Sequence, residues 1–480
     1  MFDDPRAIYL TFGLYILLML LLGLLAWRRT RDLSDYLLGG RRLGRWVTAL
    51  SAEASDMSGW LLLGLPGYAY AAGYEAGWIA LGLLAGTWLN WRFLAQRLRQ
   101  QTFAAGDALT LPAFLAHRFP AQALPLRLVA AGFILLFFTF YTGSGLVAGG
   151  RLFETVFAWD YRLAVLVAAL VVVLYTFLGG FLAVSWTDVV QGLLMCAALL
   201  LVPAFALSQQ GGWTAAETAM QRLDPQLLDP WRGLDGEPLG LVAILSLLGW
   251  GLGYFGQPHI LARFMAARDG AELHAARRIA MAWVGLTLGG ALLVGWSAIG
   301  FLETPLSGAD TERVFMQLVA ALFHPLVAGV LLAAILAAVM STADSQLLVA
   351  SSALANDFYQ AFLRRQATPG ELVRVGRLAV LLVAGVAVGL ALNPDNKVLD
   401  LVAYAWAGFG AAFGPTLILT LYWRGMRPAG ALAGIVVGGL TVILWRPLAG
   451  GWFDLYEIIP GILASTLAIL LFSRSWERRP

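Results

Sequence analysis

Cysteine occurs once in 480 residues, at Cys196, and lysine once, at Lys397. A single thiol in an apolar run excludes a disulfide framework. His117, His259, His274 and His324 are scattered, so no Cys/His metal spacing exists either. Charge is scarce, at 13% of residues against 60% hydrophobic, whereas soluble domains are about 25% charged and 45–50% apolar. No basic run suits nucleic acid, and no G-x-x-x-x-G-K-[ST] loop offers a cradle for ATP. With no appended soluble domain expected, active transport would have to draw on an ion gradient.

What the chain has instead is apolar runs of about 20 residues, each long enough to cross a hydrocarbon core of about 30 Å. It reads as an all-α polytopic membrane protein of about thirteen spans. These run at roughly 7–27, 47–71, 77–97, 126–148, 162–180, 183–207, 239–261, 279–301, 326–355, 375–392, 398–423, 429–446 and 455–473. The first is too long for a signal-peptide core and lacks a small-residue cleavage site. Arginines follow the odd-numbered spans: Arg28, Arg29, Arg31, Arg41, Arg42 and Arg45, then Arg92, Arg97 and Arg99, then Arg263, Arg268, Arg277 and Arg278. The series continues with Arg364, Arg365, Arg374 and Arg377, then Arg424 and Arg427, then Arg474, Arg478 and Arg479. By the positive-inside rule the N-terminus is outside and the C-terminus inside. The longest outer loop, 208–238, is polar and suits a small cap. Gly430, Gly434 and Gly438 recur every four residues, a close-packing face for another helix.

Asp56 lies within one of these spans, in the run Ala54, Ser55, Asp56, Met57, Ser58, Gly59, Trp60. A carboxylate near the bilayer centre costs about 2.5–3.5 kcal/mol on insertion scales, so it needs a buried arginine, a proton or a bound cation. Two spans look broken. The second gathers Glu53, Ser55, Asp56, Ser58 and Gly59; the seventh gathers Gly249, Gly251, Gly253, Gly256 and Pro258 around Trp250 and Tyr254. Irregular backbone at membrane depth must be buried in protein or line a wet cavity. Two such breaks five spans apart match inverted-repeat transporters, whose unwound segments hold substrate and ion. Ser341, Thr342, Asp344 and Ser345 on the ninth span, and Ser185, Thr187, Asp188 and Gln191 on the sixth, add oxygen ligands of the kind a hard cation prefers. The bland alternatives are glycine-rich packing, hydroxyls bonded back to their own helices, and acids solvated at the cytoplasmic boundary.

With these segments in view the chain resembles the solute:sodium symporter family, and within it the bacterial branch that transports proline. The likeness runs from Phe12 to Gly461. It includes Gly39-Gly40-Arg41, Ala54 through Trp60, Leu65-Pro66-Gly67, Leu135 to Tyr141, Phe177 to Asp188, Gly249 through Ala266, Ala334 to Thr342 and Tyr404 to Pro415. The resemblance implies a LeuT-type fold of two inverted five-helix repeats (5+5). These would be 46–207 and 239–427, joined by the 208–238 loop, preceded by an extra helix in 1–45 and followed by two in 428–480. It implies a sodium site made by the carbonyls of Ala54, Met57 and Ala338 and the hydroxyls of Ser341 and Thr342. Asp56 would be the functional acid beside it, and Asp188, Asp344 and Ser345 a further cation site. Trp60, Tyr141, Trp250 and Tyr254 would surround the solute, and Gly59, Gly249, Gly251, Gly253, Gly256 and Pro258 would shape the breaks. Two departures stand out: Glu53 where the branch has glycine, and the extra carboxylate of Asp344.

The expected activity is therefore uptake of L-proline coupled to sodium ion by alternating access across a bacterial inner membrane. The partners are solute, ion and lipid bilayer, with no nucleic acid and no obligate protein partner. Rivals are a symporter for another carboxylated solute such as pantothenate or a short-chain acid, a channel or sensor reusing the fold, and an intramembrane enzyme. The enzyme lacks a general base, because no histidine shares the Asp56 segment. Of the three partners Asp56 could have, arginine is disfavoured, since the arginines gather at cytoplasmic ends. Sodium is favoured, with Asp56 expected to hold the broken helix more than to touch the ion.

Overall fold

In lipid every backbone polar group must be paired within the segment or its packed neighbours, so each apolar run becomes helix. The computed structural model describes residues 6–27, 33–178 and 180–474. Arg28, Arg29, Arg31, Arg478 and Arg479, used above for orientation, lie outside the described residues. Helices fall in all thirteen expected spans: α1 Arg6–Trp27, α2 Arg45–Asp56 with α3 Leu65–Ala72, α4 Gly77–Leu89, α5 Ala123–Phe157, α6 Tyr161–Leu178 and α7 Phe181–Gln210. The rest are α8 Leu241–Gly249 with α9 Pro258–Ala266, α10 Gly270–Phe301, α11 Pro325–Ser352, α12 Pro369–Ala391, α13 Val398–Tyr422, α14 Pro428–Trp445 and α15 Ile458–Arg474. Among the described residues, eight helices are long and apolar enough to cross a membrane, or nine with the bent α8–α9 pair. The second, third, fifth and thirteenth expected spans are made from broken or shorter helices.

Burial sorts the helices. The apolar windows of α11 and α13 are each 83% buried, against 33% for α1 and 39% for α12 and α14. The first two are therefore the inner pillars and the last three face lipid. The glycine repeat of α14 is a contact face: a Cβ on Gly430 would stand 2.2 Å from Ser473 Oγ, and one on Gly438 2.2 Å from Ala411 O. Facing helices α13 and α15 thus pack backbone to backbone against it.

Both anticipated breaks are present. α2 stops at Asp56, Met57 turns out of the helix with ψ 82°, and the chain resumes through a wide turn at Trp60–Gly64 before α3. Wide turns of this kind occur at functional sites. α8 passes into a tight helical stretch, Trp250–Gly256, and α9 starts at Pro258 after a 46° bend. The glycines of this stretch are needed for clearance, since none has a positive φ. A Cβ on Gly251 would sit 2.0 Å from Gly82 O, one on Gly253 1.9 Å from Trp406 Nε1, and one on Gly256 2.1 Å from Phe409 O. Gly86 on α4 answers Gly251 with the same tightness, its Cβ 2.1 Å from Gly251 O.

At the Arg-rich end, Gly39, Gly40 and Arg41 are all left-handed (φ 59°, 61° and 51°). That turn aims the Arg41 guanidinium at Asp107 Oδ1 (2.6 Å), Met265 O (2.8 Å) and Ala108 O (2.8 Å), tying it to the end of α9. Burial lowers the Arg41 pKa, and Asp107 opposes the shift.

The α4 crossing yields a stability test. Gly86→Ala or Gly251→Ala should cost roughly 1–3 kcal/mol through overpacking, read as a lower apparent melting temperature in detergent. Gly285→Ala, where nothing lies within 4 Å of the added Cβ, should leave the melting temperature within error of the parent.

Candidate functional site

The site grows out of the break in the second span. Where α2 ends, the carbonyls of its last turn lose their helical partners. Ala54 O accepts hydrogen bonds from Ser341 Oγ (2.7 Å) and Thr342 Oγ1 (3.4 Å) on α11, and Ser341 Oγ also lies 3.3 Å from Ala338 O. Four of the five groups expected to hold sodium are thus brought together across the α2–α11 interface. The fifth residue, Met57, is buried at the break itself, its amide bonded to Glu53 O (2.8 Å) and its sulfur 3.8 Å from Thr287 Oγ1.

Asp56 O accepts from Tyr141 OH (2.8 Å), from Trp60 Nε1 (3.2 Å) and from the Ser58 amide (3.0 Å). The Asp56 carboxylate is wholly buried, and its Oδ2 accepts from Tyr254 OH (2.8 Å) on the broken seventh span. Its Oδ1 has no hydrogen-bond partner among the described residues. The two breaks are therefore joined by one bond, Tyr254 to Asp56, which sequence reasoning did not reach. Glu53, one turn back, accepts from Trp91 Nε1 (2.8 Å) on the continuation of α4.

Of the four aromatics expected around the solute, Trp60, Tyr141 and Tyr254 converge on Asp56. Trp250 lies one layer further out. Its ring stacks on Tyr456 (centroids 5.5 Å apart), and its carbonyl accepts from Trp406 Nε1 (2.7 Å). Trp406 in turn meets Tyr254 edge to face at 4.9 Å. Trp250, Gly64 and Gly67 line a cavity of about 490 Å³ that reaches exposed Leu234, Lys397 and Asp400 on the side of the 208–238 loop. Glu312 stands in the same cavity wall. It pairs with Arg151 (2.9 Å) and accepts the Val398 and Leu399 amides at the start of α13 (3.0 and 3.2 Å). Burial raises the Glu312 pKa and Arg151 opposes that shift.

On the opposite side of the break, Asp188, Asp344 and Ser345 are all fully buried, not solvated at a boundary. They meet a guanidinium. Arg263 on α9 donates to Asp188 Oδ2 (3.1 Å), Ser345 Oγ (2.5 Å), Ser51 Oγ (3.0 Å) and His259 O (3.0 Å), and lies 5.0 Å from the Phe181 ring centroid. Sequence alone groups Arg263 with the arginines of the cytoplasmic ends; the structure leaves it 1% exposed. The buried arginine is therefore real, and its acid is Asp188, whereas Asp56 is met by a tyrosine. The signal that could have marked Arg263 is its position five residues after Pro258, inside the part of α9 that follows the break.

A family model, the sodium:solute symporter family, matches residues 36–438. The chain is 52% identical over 468 residues to the sodium/proline symporter of Salmonella typhimurium, covering 96% of this chain and 92% of that protein. It is 48% identical over 474 residues to the osmoregulated proline transporter of Bacillus subtilis, covering 98% and 95%. Among solved structures, a sodium-coupled sialic acid symporter superposes with a TM-score of 0.80 at 19% identity over 98% of each chain. The nucleobase-cation-symport-1 family transporter MHP1 superposes at 0.55 and 16% identity, covering 93% of this chain and 96% of that one. The fold is thus the LeuT-type arrangement, and it is the family and the curated relatives that make the chain a transporter and not an enzyme. Its broken helices, paired oxygens and buried acid fit that placement: the chain belongs to the sodium:solute symporter family.

Proposed function

We propose that the protein takes up L-proline with sodium ion by alternating access, in a bacterial inner membrane with its N-terminus outside. The observation that carries this reading is the oxygen cluster between the two packed spans, Ala54 O, Ala338 O, Ser341 Oγ and Thr342 Oγ1, two residues along the chain from Asp56. Those hydroxyls now donate to a carbonyl. Rotated, they would present lone pairs to a hard cation that also takes the carbonyls, with Met57 O as a further ligand. The inverted repeats are assigned to 46–207 and 239–427, with 1–45 and 428–480 outside them. No obligate protein partner is required.

Coupling follows from the chain of bonds. Sodium would fix α2 to α11 and so fix Asp56, whose backbone holds Trp60 and Tyr141 and whose side chain holds Tyr254. Ordering those three rings before the solute arrives removes part of its binding cost. By linkage, each ligand then raises the other's affinity by the same factor. The rings offer apolar faces to a pyrrolidine, and the freed amides at the helix breaks suit its carboxylate. The names borne by relatives about 50% identical over nearly the whole chain support proline as the solute.

Four outcomes test the proposal. Proteoliposomes with an inward sodium gradient should accumulate labelled proline, and Asp56→Asn should abolish this; equal uptake in potassium or choline would refute the coupling. Ser341→Ala and Thr342→Ala should each raise the sodium concentration for half-maximal uptake by about tenfold, equivalent to ~1.4 kcal/mol, with competition by other carboxylated solutes unchanged. Trp250→Ala should do the converse, altering that competition panel at nearly constant sodium dependence. Tyr254→Phe, which keeps the ring and loses the bond to Asp56, should shift the sodium dependence.

A further inference from the structure

We propose that the arginine-rich side of the protein holds one anionic phospholipid of the surrounding bilayer, with an acyl chain in a groove behind the seventh-span break and its phosphate on Arg97. The inference goes beyond the symport reading and does not depend on which solute is carried. The groove has a volume of about 240 Å³ and is formed by the stretch Trp250–Gly256, α13 and α15. Leu252, Phe255, Pro415, Ile418, Leu419 and Ile462 line it.

The groove is where an inner pillar opens to hydrocarbon. Pro415, Ile418, Leu419 and Tyr422 recur at three, four and seven residues along α13 and so share one helix face. Ile418 and Leu419 are half-buried and Tyr422 is exposed, whereas Thr416, Leu417, Thr420 and Leu421 on the other faces are buried. In a bilayer no water is present to fill such a groove, and an acyl chain gains dispersion contacts along its whole length there.

Charge at the mouth selects the kind of lipid. Tyr422 OH donates to Phe93 O (2.6 Å), and the Arg97 guanidinium lies over the Tyr422 ring, 3.9 Å from its centroid. Arg92 lies over the Phe93 ring at 5.2 Å, and Arg424 follows Tyr422 by two residues. All three arginines are exposed, and none has an ion pair among the described residues. By contrast Arg45 and Arg268 meet Glu272, and Arg364 meets Glu371. Guanidinium groups held on exposed aromatic rings at the membrane surface, with no acid to satisfy them, suit a phosphate, which they can grip through two parallel bonds. The dimensions agree. Pro415 stands two turns from Tyr422, about 10 Å along the axis, within the ~15 Å that one leaflet gives to the hydrocarbon core. The back wall of the groove is the segment that presents Tyr254 to Asp56, so a chain seated there braces that segment from the membrane side.

The test measures lipid retention. Purified full-length transporter is offered equimolar phosphatidylglycerol and phosphatidylcholine with the same acyl chains, and bound lipid is read by native mass spectrometry. Wild type should keep one phosphatidylglycerol about fivefold over phosphatidylcholine, equivalent to ~1 kcal/mol. Arg97→Gln should lose that preference. Leu419→Trp, which fills the groove, should lower retention of phosphatidylglycerol about fivefold. Arg278→Gln, at an exposed arginine of α10, should behave as wild type. Equal retention of the two lipids by wild type overturns the proposal. So does unchanged retention in Arg97→Gln or in folded Leu419→Trp, or a loss in Arg278→Gln as large as that in Arg97→Gln. Should Leu419→Trp fail to fold, glycerophosphoglycerol, the headgroup without chains, decides the part of the groove. At equal concentration it should leave the lipid in place, and displacement by it overturns the proposal.

Discussion

Carbonyl groups set free inside a hydrocarbon layer must find partners in the protein or in what it carries, because lipid supplies none. The break after Asp56 creates that demand, and much of the structure is organised to meet it. Ala54 O is met from α11, and Asp56 O from α5 and from Trp60 beyond the break. The Asp56 side chain is met from the broken seventh span. One irregular turn is thereby a junction of four spans. Any ligand that changes the partners of these few oxygens acts on all four at once.

The glycine-rich seventh span answers a different constraint. Its glycines keep ordinary helical φ, and what they supply is closeness: α4 and α13 approach its backbone to distances that no Cβ would allow. Tight contact on two sides holds the stretch Trp250–Gly256 in register. Tyr254 is thus presented to Asp56 and Trp250 to the outer cavity from a segment wound more tightly than an α-helix. Tightening here yields a rigid shelf.

Much of this was legible in the chain. Long apolar runs located the spans, because their length is set by the bilayer. A carboxylate with flanking small and polar residues located one break, and four glycines with a proline located the other. Ser341 and Thr342 were readable as oxygen donors, although only packing shows that they meet Ala54. Arg263 was not legible in its role. An arginine just after an apolar run obeys the positive-inside pattern whether it faces solvent or turns inward, and only the bend before α9 decides. The Tyr254–Asp56 bond spans 198 residues, so no local pattern announces it. Trp250 was assigned to the solute by resemblance alone, and only packing shows that its ring stacks on Tyr456 in the wall of the outer cavity.

The pairing of Arg263 with Asp188 also has an electrical meaning. Moving one elementary charge through the membrane potential is worth about 2.3 kcal/mol per 100 mV. A charge matched to its counter-charge at 3.1 Å contributes nothing to that sum, however far the pair is carried when the spans rock. The voltage across the bilayer can act only where charge is unmatched by protein. Among the described residues within the spans that leaves the buried carboxyls of Glu53, Asp56 and Asp344, which meet Trp91, Tyr254 and Ser345 and no ion-paired arginine, so any response to voltage centres on the break in the second span and the α11 face packed against it.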